Sequence, residues 1–464
     1  MIKKVLKKKV KNSQIFCNVK EVTDNGLLLL KTGDCASLIE VQAIDLSLTS
    51  KLEKENFFFN FKNLYQIKDL KLKCYKLDKR INLNPNKENY QNLIEKFNDD
   101  ESRKKLLLEN KKLIDSLEND NFTISSSYYF VLIAKNIEVL NKQLDEIDQI
   151  INTLNPRIIL EVVNNKLEIY HFLSNLYFAD VTIDQLMWLD LPDLVSPLNI
   201  SERSNMLKVD NKEIQMITIK NIPPFIDEMF FEEIFNLPNV RACINVNDTV
   251  DTESLINVLD SSYQFLLSDR NTTKKLSDAT ELDTEKENFQ ILMSEIKNGN
   301  EKIKEVSLII AISGSRKERE EIFKELKMLA ERYKIKLDIP RLRQMEAWQS
   351  FEITSLSLKD YAVYLPTMTL SAGFPFTRTY FNDYTGYMLG VDIHTSLPIF
   401  FDPFYLNKKT RTSHNIAVVA STGGGKSYTM KKILVNEFSR QTKILILDPD
   451  CEYQKLVESN GGEY

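Results

Sequence analysis

Short apolar runs separated by turn residues open the chain and predict a β-meander. From Ile15 to Val41, the apolar runs are interrupted at Asp24-Asn25-Gly26 and again at Thr32-Gly33-Asp34. Turn residues between short apolar runs are typical of antiparallel strands joined by tight connections. A small sheet is therefore expected at the start of the fold.

The next segment predicts a helix, a strand and a charged helical region. Ser50 followed by Glu53 has the spacing of a capping box, in which each side chain bonds the backbone of the other. Apolar residues alternate with lysine and tyrosine over residues 70–75, which predicts a half-exposed strand. The charged helical pattern from Asn86 to Leu117 is expected to pack across the neighbouring strands.

Strands and amphipathic helices alternate over the middle of the chain. Strands are predicted at 128–134, 216–219, 240–246 and 306–312, and helices at 226–235 and 252–267. An antiparallel hairpin is predicted from 386 to 402, with its turn at 392–396. This succession indicates an α+β class. Changes in composition and in predicted elements divide the chain into an α+β docking region (1–205), a middle α+β region (206–373) and a C-terminal domain (374–464).

A glycine-rich turn lies between an apolar run and a helical pattern. The run at 415–419 predicts a strand, the turn is Ala420-Ser-Thr-Gly-Gly-Gly-Lys-Ser427, and a helix is predicted from Tyr428 onward. In this context glycine backbone N–H groups and a helix N-terminus converge on the phosphates of a nucleotide. The alternative is a flexible turn that binds nothing. The candidate nucleotide-binding residues are Ala420, Ser421, Thr422, Gly423, Gly424, Gly425, Lys426, Ser427 and Tyr428.

Two positions of this turn carry specific roles and one departs from the usual pattern. Lys426 is expected to contact the β- and γ-phosphates of ATP, and the hydroxyl of Ser427 to bind Mg²⁺. Ala420 stands where the first glycine of the motif belongs. Alanine is strained there if the position needs a positive φ, and fits if only a small side chain is required. The second interpretation is favoured, because the remaining glycines and Lys-Ser are in place.

A second apolar strand, predicted at 443–448, ends in acidic residues. Asp448 at the carboxyl end of such a strand faces the nucleotide crevice, so Asp448 and Glu452 are candidates for positions near the site. A stabilising turn at Asp448 is an equally good interpretation. No catalytic residue is assigned.

Composition narrows the classes of protein. The chain has 464 residues, 43% of them hydrophobic, which is enough for two or three cores. A formal net charge of −5 gives no reason to expect a protein that coats nucleic acid. The five cysteines lack metal-site spacing, and no apolar run is long enough for a membrane span. The basic stretch 1–11 could lie on an anionic membrane surface or form a solvated tail.

The C-terminal motifs together resemble a known family. Phe374-Pro-Phe376, the hairpin, His414-Asn415, Thr-Gly-Gly-Gly-Lys-Ser and Asp448-Pro-x-x-Glu-Tyr453 are similar to those of type IV secretion and conjugative-transfer ATPases. These are the enzymes of the VirB-four, TraC and TraE type, within the HerA–FtsK group of P-loop ATPases. The resemblance is specific over 374–453 and loose elsewhere.

The resemblance implies a fold, a cofactor and partners. It implies that a RecA-like α/β domain begins near residue 374, binding ATP and Mg²⁺ through Gly423 to Ser427, with Asp448, Glu452 and Tyr453 in the following motif. It also implies a homo-hexamer at the cytoplasmic face of the membrane, without an integral membrane segment, working with inner-membrane channel subunits and with DNA as a candidate partner. The motor would energise conjugative DNA transfer or type IV secretion.

The family's later acidic motif and arginine have no counterpart before Tyr464, where the chain ends. The chain is therefore expected to be a fragment or a truncated product, in which an unfinished sheet exposes an unstable, adhesive edge. Hydrolysis by these residues alone is not expected. Two further hypotheses remain open, which are a HerA-like DNA translocase and a non-catalytic assembly protein left by truncation.

Overall fold

A computed structural model describes residues 17–46, 49–97, 101–119, 124–178, 195–197, 199–222, 226–248, 287, 289–354, 358–378, 380–393, 397–406 and 411–464. The basic stretch 1–11 and the helix predicted at 252–267 lie outside these residues.

The strands include every strand predicted for the middle of the chain. They are β1 (Val19–Val22), β2 (Leu28–Leu30), β3 (Cys35–Gln42), β4 (Lys71–Arg80), β5 (Ile124–Ala134), β6 (Ile159–Val162), β7 (Ile200–Arg203), β8 (Met206–Val209), β9 (Lys212–Asn221), β10 (Val240–Asp248), β11 (Ile303–Ser313), β12 (Lys336–Asp338), β13 (Val363–Pro366), β14 (Tyr387–Val391) and β15 (Pro398–Phe401). The first three strands confirm the predicted meander, with its two turns at the expected glycines.

The helices are distributed along the whole chain. They are α1 (Lys51–Tyr65), α2 (Asn84–Lys96), α3 (Glu101–Asn119), α4 (Ile137–Ile151), α5 (Lys166–Leu176), α6 (Glu232–Phe235), α7 (Arg316–Arg332), α8 (Gln344–Phe351), α9 (Thr367–Ala372), α10 (Lys426–Ser439) and α11 (Gln454–Ser459). A further helical segment spans 289–297. None of the helices in the described ranges combines the length and the apolar character that crossing a membrane requires.

Two compact units make up the chain. The first consists of Met1–Asp78 and Ser126–Thr379, and the second of Lys79–Ser125 and Tyr380–Tyr464. Each unit is therefore assembled from two separate stretches of sequence. The domain boundaries at residues 205 and 373, which are based on composition and predicted elements, remain a prediction.

The first unit is built on one large, mostly antiparallel sheet. Its main strand order is β1-β2-β3-β5-β4-β10-β11-β9-β8-β7, and β6, β12 and β13 pair with β3, β9 and β11. In the centre, β10 pairs antiparallel with both β4 and β11, so that Cys243 lies opposite Tyr75 on one side and Ile309 on the other. This confirms the α+β class predicted for the N-terminal region.

Both faces of the sheet are buried. Along β11, Leu308 and Ile310 join one apolar cluster, whereas Ile309 and Ala311 join another. Side chains alternate between the two faces of a strand, which explains this division. Helices α1, α4 and α7 contribute to the first cluster, and helices α5 and α8 to the second.

The strand predicted over residues 70–75 forms as part of β4, but the prediction that it is half-exposed is wrong. Lys73 is 3% exposed and Tyr75 is fully buried, because β4 lies in the centre of a sheet with both faces covered. The ammonium of Lys73 donates hydrogen bonds of 2.8 Å to Asn245 Oδ1 and to the carbonyl of Ser350. Burial lowers the pKa of Lys73 to about 8. The alternating lysine therefore marks a buried polar contact instead of a solvent face.

Helix α1 begins as its capping box predicts. The N–H of Glu53 donates to Ser50 Oγ at 3.3 Å, and the N–H of Ser50 donates to Glu53 Oε2 at 2.8 Å. Each bond satisfies a backbone donor that the helix itself leaves open. The buried face of α1 then places Phe57 and Phe61 against Phe374, with ring centroids 5.2 Å apart in both pairs.

Most of the helix predicted at 226–235 is absent, and only Glu232–Phe235 is helical. Met229 has a φ of 60° and donates its N–H to the carbonyl of Ala372 at 2.6 Å. A left-handed residue cannot continue a right-handed helix, so the helix begins only after this contact. The apolar pattern nevertheless identified buried positions correctly, since Phe230, Phe231, Ile234 and Phe235 are all buried.

The second unit brings α2 and α3 together with the C-terminal part of the chain. Their apolar side chains share one cluster with residues of the hairpin and of α10, namely Leu83, Tyr90, Ile94, Phe97, Leu107, Ile114, Tyr387, Phe400 and Ile433. The prediction that the 86–117 pattern packs across the neighbouring strands is therefore wrong. The predicted hairpin is confirmed, since β14 and β15 pair antiparallel with Tyr387 opposite Phe401.

Candidate functional site

The glycine-rich turn adopts a backbone that glycine alone accommodates without strain. Gly423 has a φ of 78°, and Gly425, at the N-cap of α10, has a φ of 83°. At Gly424 the limit is space, because an added Cβ would lie 2.9 Å from the carbonyl oxygen of Ser421. Three consecutive glycines are thus required by the conformation of this loop.

The start of α10 leaves a group of backbone donors open. The N–H of Gly424 bonds the carbonyl of Ser421 at 2.9 Å, and the N–H of Thr429 bonds the carbonyl of Gly425 at 2.9 Å. No side chain of the described residues caps the helix at Gly425. The N–H groups of Lys426, Ser427 and Tyr428 belong to the first turn, where no intrahelical acceptor exists. With the partial positive charge of the helix end, they form a site suited to an anion.

The side chains of the loop are available for a ligand. Lys426 is exposed, and its ammonium makes no hydrogen bond or ion pair with the part of the chain that the structure describes. Ser427 is half-buried beside it, and Tyr428 is 75% exposed on the same helical turn. A cation and a hydroxyl next to open N–H groups are the donor set that a phosphate with Mg²⁺ requires.

Ala420 occupies its position without backbone strain. It is not among the residues with positive φ, so the glycine usual at this point is not needed for conformation. Its methyl group lies close to the loop, 3.2 Å from the position that a Cβ on Gly424 would take. A small side chain is therefore what this position demands.

The strands predicted on both sides of the loop do not form. Residues 415–419 and 443–448 have no strand pairing within the described ranges. Most of their apolar side chains are exposed, with Val419, Leu445 and Leu447 each at least 90% exposed, whereas Val418 and Ile446 are half-buried. A strand is defined by hydrogen bonds to a neighbouring strand, and an apolar run alone cannot supply that neighbour. The RecA-like sheet predicted for this region is thus not seen in the described residues.

The C-terminal half of helix α10 contacts the rest of the second unit. The ammonium of Lys432 donates to the carbonyl of Leu389 in β14 at 2.7 Å, and Asn110 Nδ2 donates to Asn436 Oδ1 at 3.2 Å. Ile433 is buried in the apolar cluster between these contacts. The phosphate-loop end of the helix is exposed, whereas its carboxyl end is fixed.

A buried carboxylate holds the carboxyl end of α10. Asp402, which follows β15, accepts a hydrogen bond from Arg440 Nη2 at 3.0 Å and another from the N–H of Phe404 at 2.9 Å. Thr385 donates its hydroxyl to the same carboxylate. Burial opposes ionisation, but the hydrogen bonds from Arg440 and Thr385 outweigh it and keep the pKa of Asp402 below its ordinary value.

A second carboxylate holds the segment that leads into the loop. Asp383 Oδ2 accepts from Arg411 Nη1 at 2.6 Å, and Arg411 Nη2 donates to the carbonyl of Asp402 at 2.6 Å. Asp383 is 4% exposed. The sequence did not identify Asp383, Asp402, Arg411 or Arg440 as functional, because no local spacing pairs them.

Asp448 serves the turn before α11. Its Oδ1 accepts the N–H of Glu452 at 3.1 Å, and its Oδ2 accepts the N–H of Tyr453 at 2.7 Å. Both carboxylate oxygens are thus occupied by backbone donors, the pattern of a carboxylate that stabilises a turn. Of the two interpretations open for Asp448, this geometry favours the turn. Glu452 is exposed.

Comparison with known proteins agrees with the loop geometry. Residues 402–463 match the family described as the central domain of the helicase HerA. The match includes the loop, α10 and α11, and it supports the HerA–FtsK group of P-loop ATPases for this segment. A comparison with curated proteins found no match.

Proposed function

We propose that the chain binds ATP together with Mg²⁺ through residues 420–427. The observation that carries the proposal is the left-handed Gly425 at the N-cap of α10, which leaves the first N–H groups of the helix open beside the unpartnered Lys426 within the described chain. Lys426 would contact the β- and γ-phosphates, and Ser427 would bind the metal. P-loop ATPases of the matched group use this cofactor pair, which agrees with the donor set.

We further propose that ATP binding serves conjugative DNA transfer or type IV secretion. The support is the resemblance over 374–453, including His414-Asn415 and Asp448-Pro-x-x-Glu-Tyr453. In this proposal the protein acts as a homo-hexamer at the cytoplasmic face of the membrane, with channel subunits as partners and DNA as a candidate substrate. The first unit, with its large sheet, would provide the docking surface.

A HerA-like DNA translocase is the second candidate. The match of residues 402–463 to the HerA central domain favours it specifically. The two candidates differ in their partners, since a translocase requires DNA alone, whereas a secretion motor requires membrane-channel subunits. Nucleotide-dependent binding to double-stranded DNA, without recruitment to membranes that carry a secretion channel, would favour the translocase.

The binding proposal is tested by titration with a fluorescent ATP analogue in the presence of Mg²⁺. The unchanged protein should bind saturably and gain thermal stability with ATP. Lys426→Ala should lose at least tenfold in affinity, because a hydrogen bond to a charged group contributes about 1.5–3 kcal/mol. Lys455→Ala, an exposed lysine of α11, is the matched control and should leave affinity unchanged.

Absence of saturable binding by the unchanged protein would refute the proposal and favour the third hypothesis, a non-catalytic assembly protein. Equal affinity for Lys426→Ala and Lys455→Ala would show that nucleotide binds elsewhere.

A further inference from the structure

The segment that carries the phosphate loop is held by an arginine at each end. Arg411 precedes the segment and pairs with Asp383 at 2.6 Å, and Arg440 follows α10 and pairs with Asp402 at 3.0 Å. Both carboxylates are 4% exposed. Charges buried to this extent are retained only when paired, so each arginine has one strongly preferred position.

The two carboxylates share one support, which is the hairpin formed by β14 and β15. Asp383 donates its N–H to the carbonyl of Phe400 at 3.0 Å, and its carboxylate accepts the N–H of Asp402 at 2.8 Å. The carboxylate of Asp383 is therefore bonded directly to the backbone of Asp402. The hairpin fixes the distance between Arg411 and Arg440, the two ends of the loop segment.

Between its two ends the segment has little other polar support. Within the described residues, the hydrogen bonds formed by residues 412–428 stay inside the segment, as in Asn415 with Ser413 and Gly424 with Ser421. Polar attachment to the rest of the unit resumes at Lys432, six residues beyond the first residue of α10. The loop is thus held from both sides, by Arg411 before it and by the contacts of α10 from Lys432 to Arg440 after it.

We propose that Asp383 and Asp402 are positioning residues for nucleotide binding. Through Arg411 and Arg440 they hold the approach to the loop and the far end of α10 on one hairpin, so that the loop presents its N–H groups in a single arrangement. This inference rests on the proposed binding of ATP at residues 420–427. It assigns a role in that binding to residues outside the motif, which never touch the nucleotide.

Arg440 provides the sharpest test, because it can be varied in charge and in shape separately. Arg440→Met keeps much of the stem and removes the partner of Asp402, and it should weaken Mg²⁺-ATP binding at least fivefold. Arg440→Lys keeps a cation beside Asp402 but cannot span Asp402 and Glu437 as the two guanidinium nitrogens do, so it should recover only part of the affinity that Arg440→Met loses. Arg316→Met removes an exposed arginine paired with Glu320 in the first unit and is the control.

A purely structural role is separated from positioning by measurements on the folded protein. Affinity is measured well below the unfolding midpoint of each variant, so that loss of folded protein does not contribute. Hydrogen exchange of residues 421–429 is followed with and without Mg²⁺-ATP. Positioning predicts that Arg440→Met loses nucleotide-dependent protection at the loop and that Arg440→Lys regains part of it.

Each outcome decides the proposal. Equal ATP affinity of folded Arg440→Met and the unchanged protein overturns it, as does an affinity of Arg440→Lys no higher than that of Arg440→Met. If Arg440→Met does not fold, Thr385→Val replaces it, since this change removes only one neutral donor to Asp402. Unchanged affinity of Thr385→Val then overturns the proposal, and a two- to threefold loss supports it. Failure of the unchanged protein to bind ATP refutes the proposed function instead.

Discussion

Replacing Gly425 with alanine should weaken ATP binding about tenfold without unfolding either unit. Gly425 is the N-cap of α10, with a φ of 83° and a ψ of 9°. An added Cβ would meet no atom within 4 Å, so the substitution introduces no steric clash. Its whole effect comes from the backbone conformation, which alanine disfavours.

The size of the effect follows from that conformation. A left-handed residue other than glycine costs about 1–2 kcal/mol. The loop is exposed, so alanine lets it relax into other conformers, and ATP binding must then restore the native one. Since about 1.4 kcal/mol corresponds to a tenfold change in an equilibrium constant, the affinity should fall about tenfold.

Two glycines provide matched controls in a titration with a fluorescent ATP analogue. Gly390→Ala has the same open space without a left-handed backbone, and should change neither affinity nor stability. Gly299→Ala has a φ of 75° and equally open space, but lies in the first unit, so it should lower stability and leave affinity intact. Gly425→Ala binding as tightly as Gly390→Ala would refute the reasoning.

Two further predictions concern the first unit. Burial lowers the pKa of Lys73 from 10.5 to about 8. Between these two pH values the unfolded chain keeps the proton on Lys73, whereas the folded protein releases it. The free-energy cost of burying a charged ammonium is therefore relieved as the pH rises. The unfolding free energy of the unchanged protein relative to Lys73→Met should therefore rise by about 3 kcal/mol between about pH 7.5 and pH 10.5. Denaturant titrations at each pH measure this, and a constant difference would contradict it. Phe374→Ala empties a site that is 1% exposed and should cost about 3–5 kcal/mol in the same titrations. Phe59→Ala, at 57% exposure, should cost less than about 1 kcal/mol of unfolding free energy. Equal losses for the two variants would show that Phe374 and the phenylalanines of α1 do not form a tightly packed core.

Features that depend on neighbouring residues could be predicted from the sequence. The capping box of α1, the hairpin of β14 and β15 and the glycine requirement of the loop all follow from local backbone chemistry. Each of them needs a particular residue at a particular spacing, because a hydrogen bond or a φ value within a few residues demands it. The apolar periods of β5, β10 and β11 were equally visible, since their side chains alternate between two buried faces.

Features that depend on distant residues were decided by the tertiary structure. The alternating pattern around Lys73 indicated a solvent face, but the pairing of β4 inside the sheet buried it beside Asn245. The left-handed Met229 shortened a helix because its N–H found the carbonyl of Ala372. Periodicity reports how a segment is patterned, and the partner that covers each face comes from elsewhere in the chain.

The candidate site shows the same division. The residues that would touch a nucleotide, from Ala420 to Ser427, form one uninterrupted motif, because the loop must wrap a single phosphate chain with consecutive N–H groups. Asp383 and Asp402, which we propose position this motif, lie before it and pair with Arg411 on its N-terminal side and with Arg440 at the far end of α10. The sequence by itself determined the chemistry of the loop. Only the tertiary structure determined what positions it, since an ion pair between distant residues leaves no periodic trace in the chain.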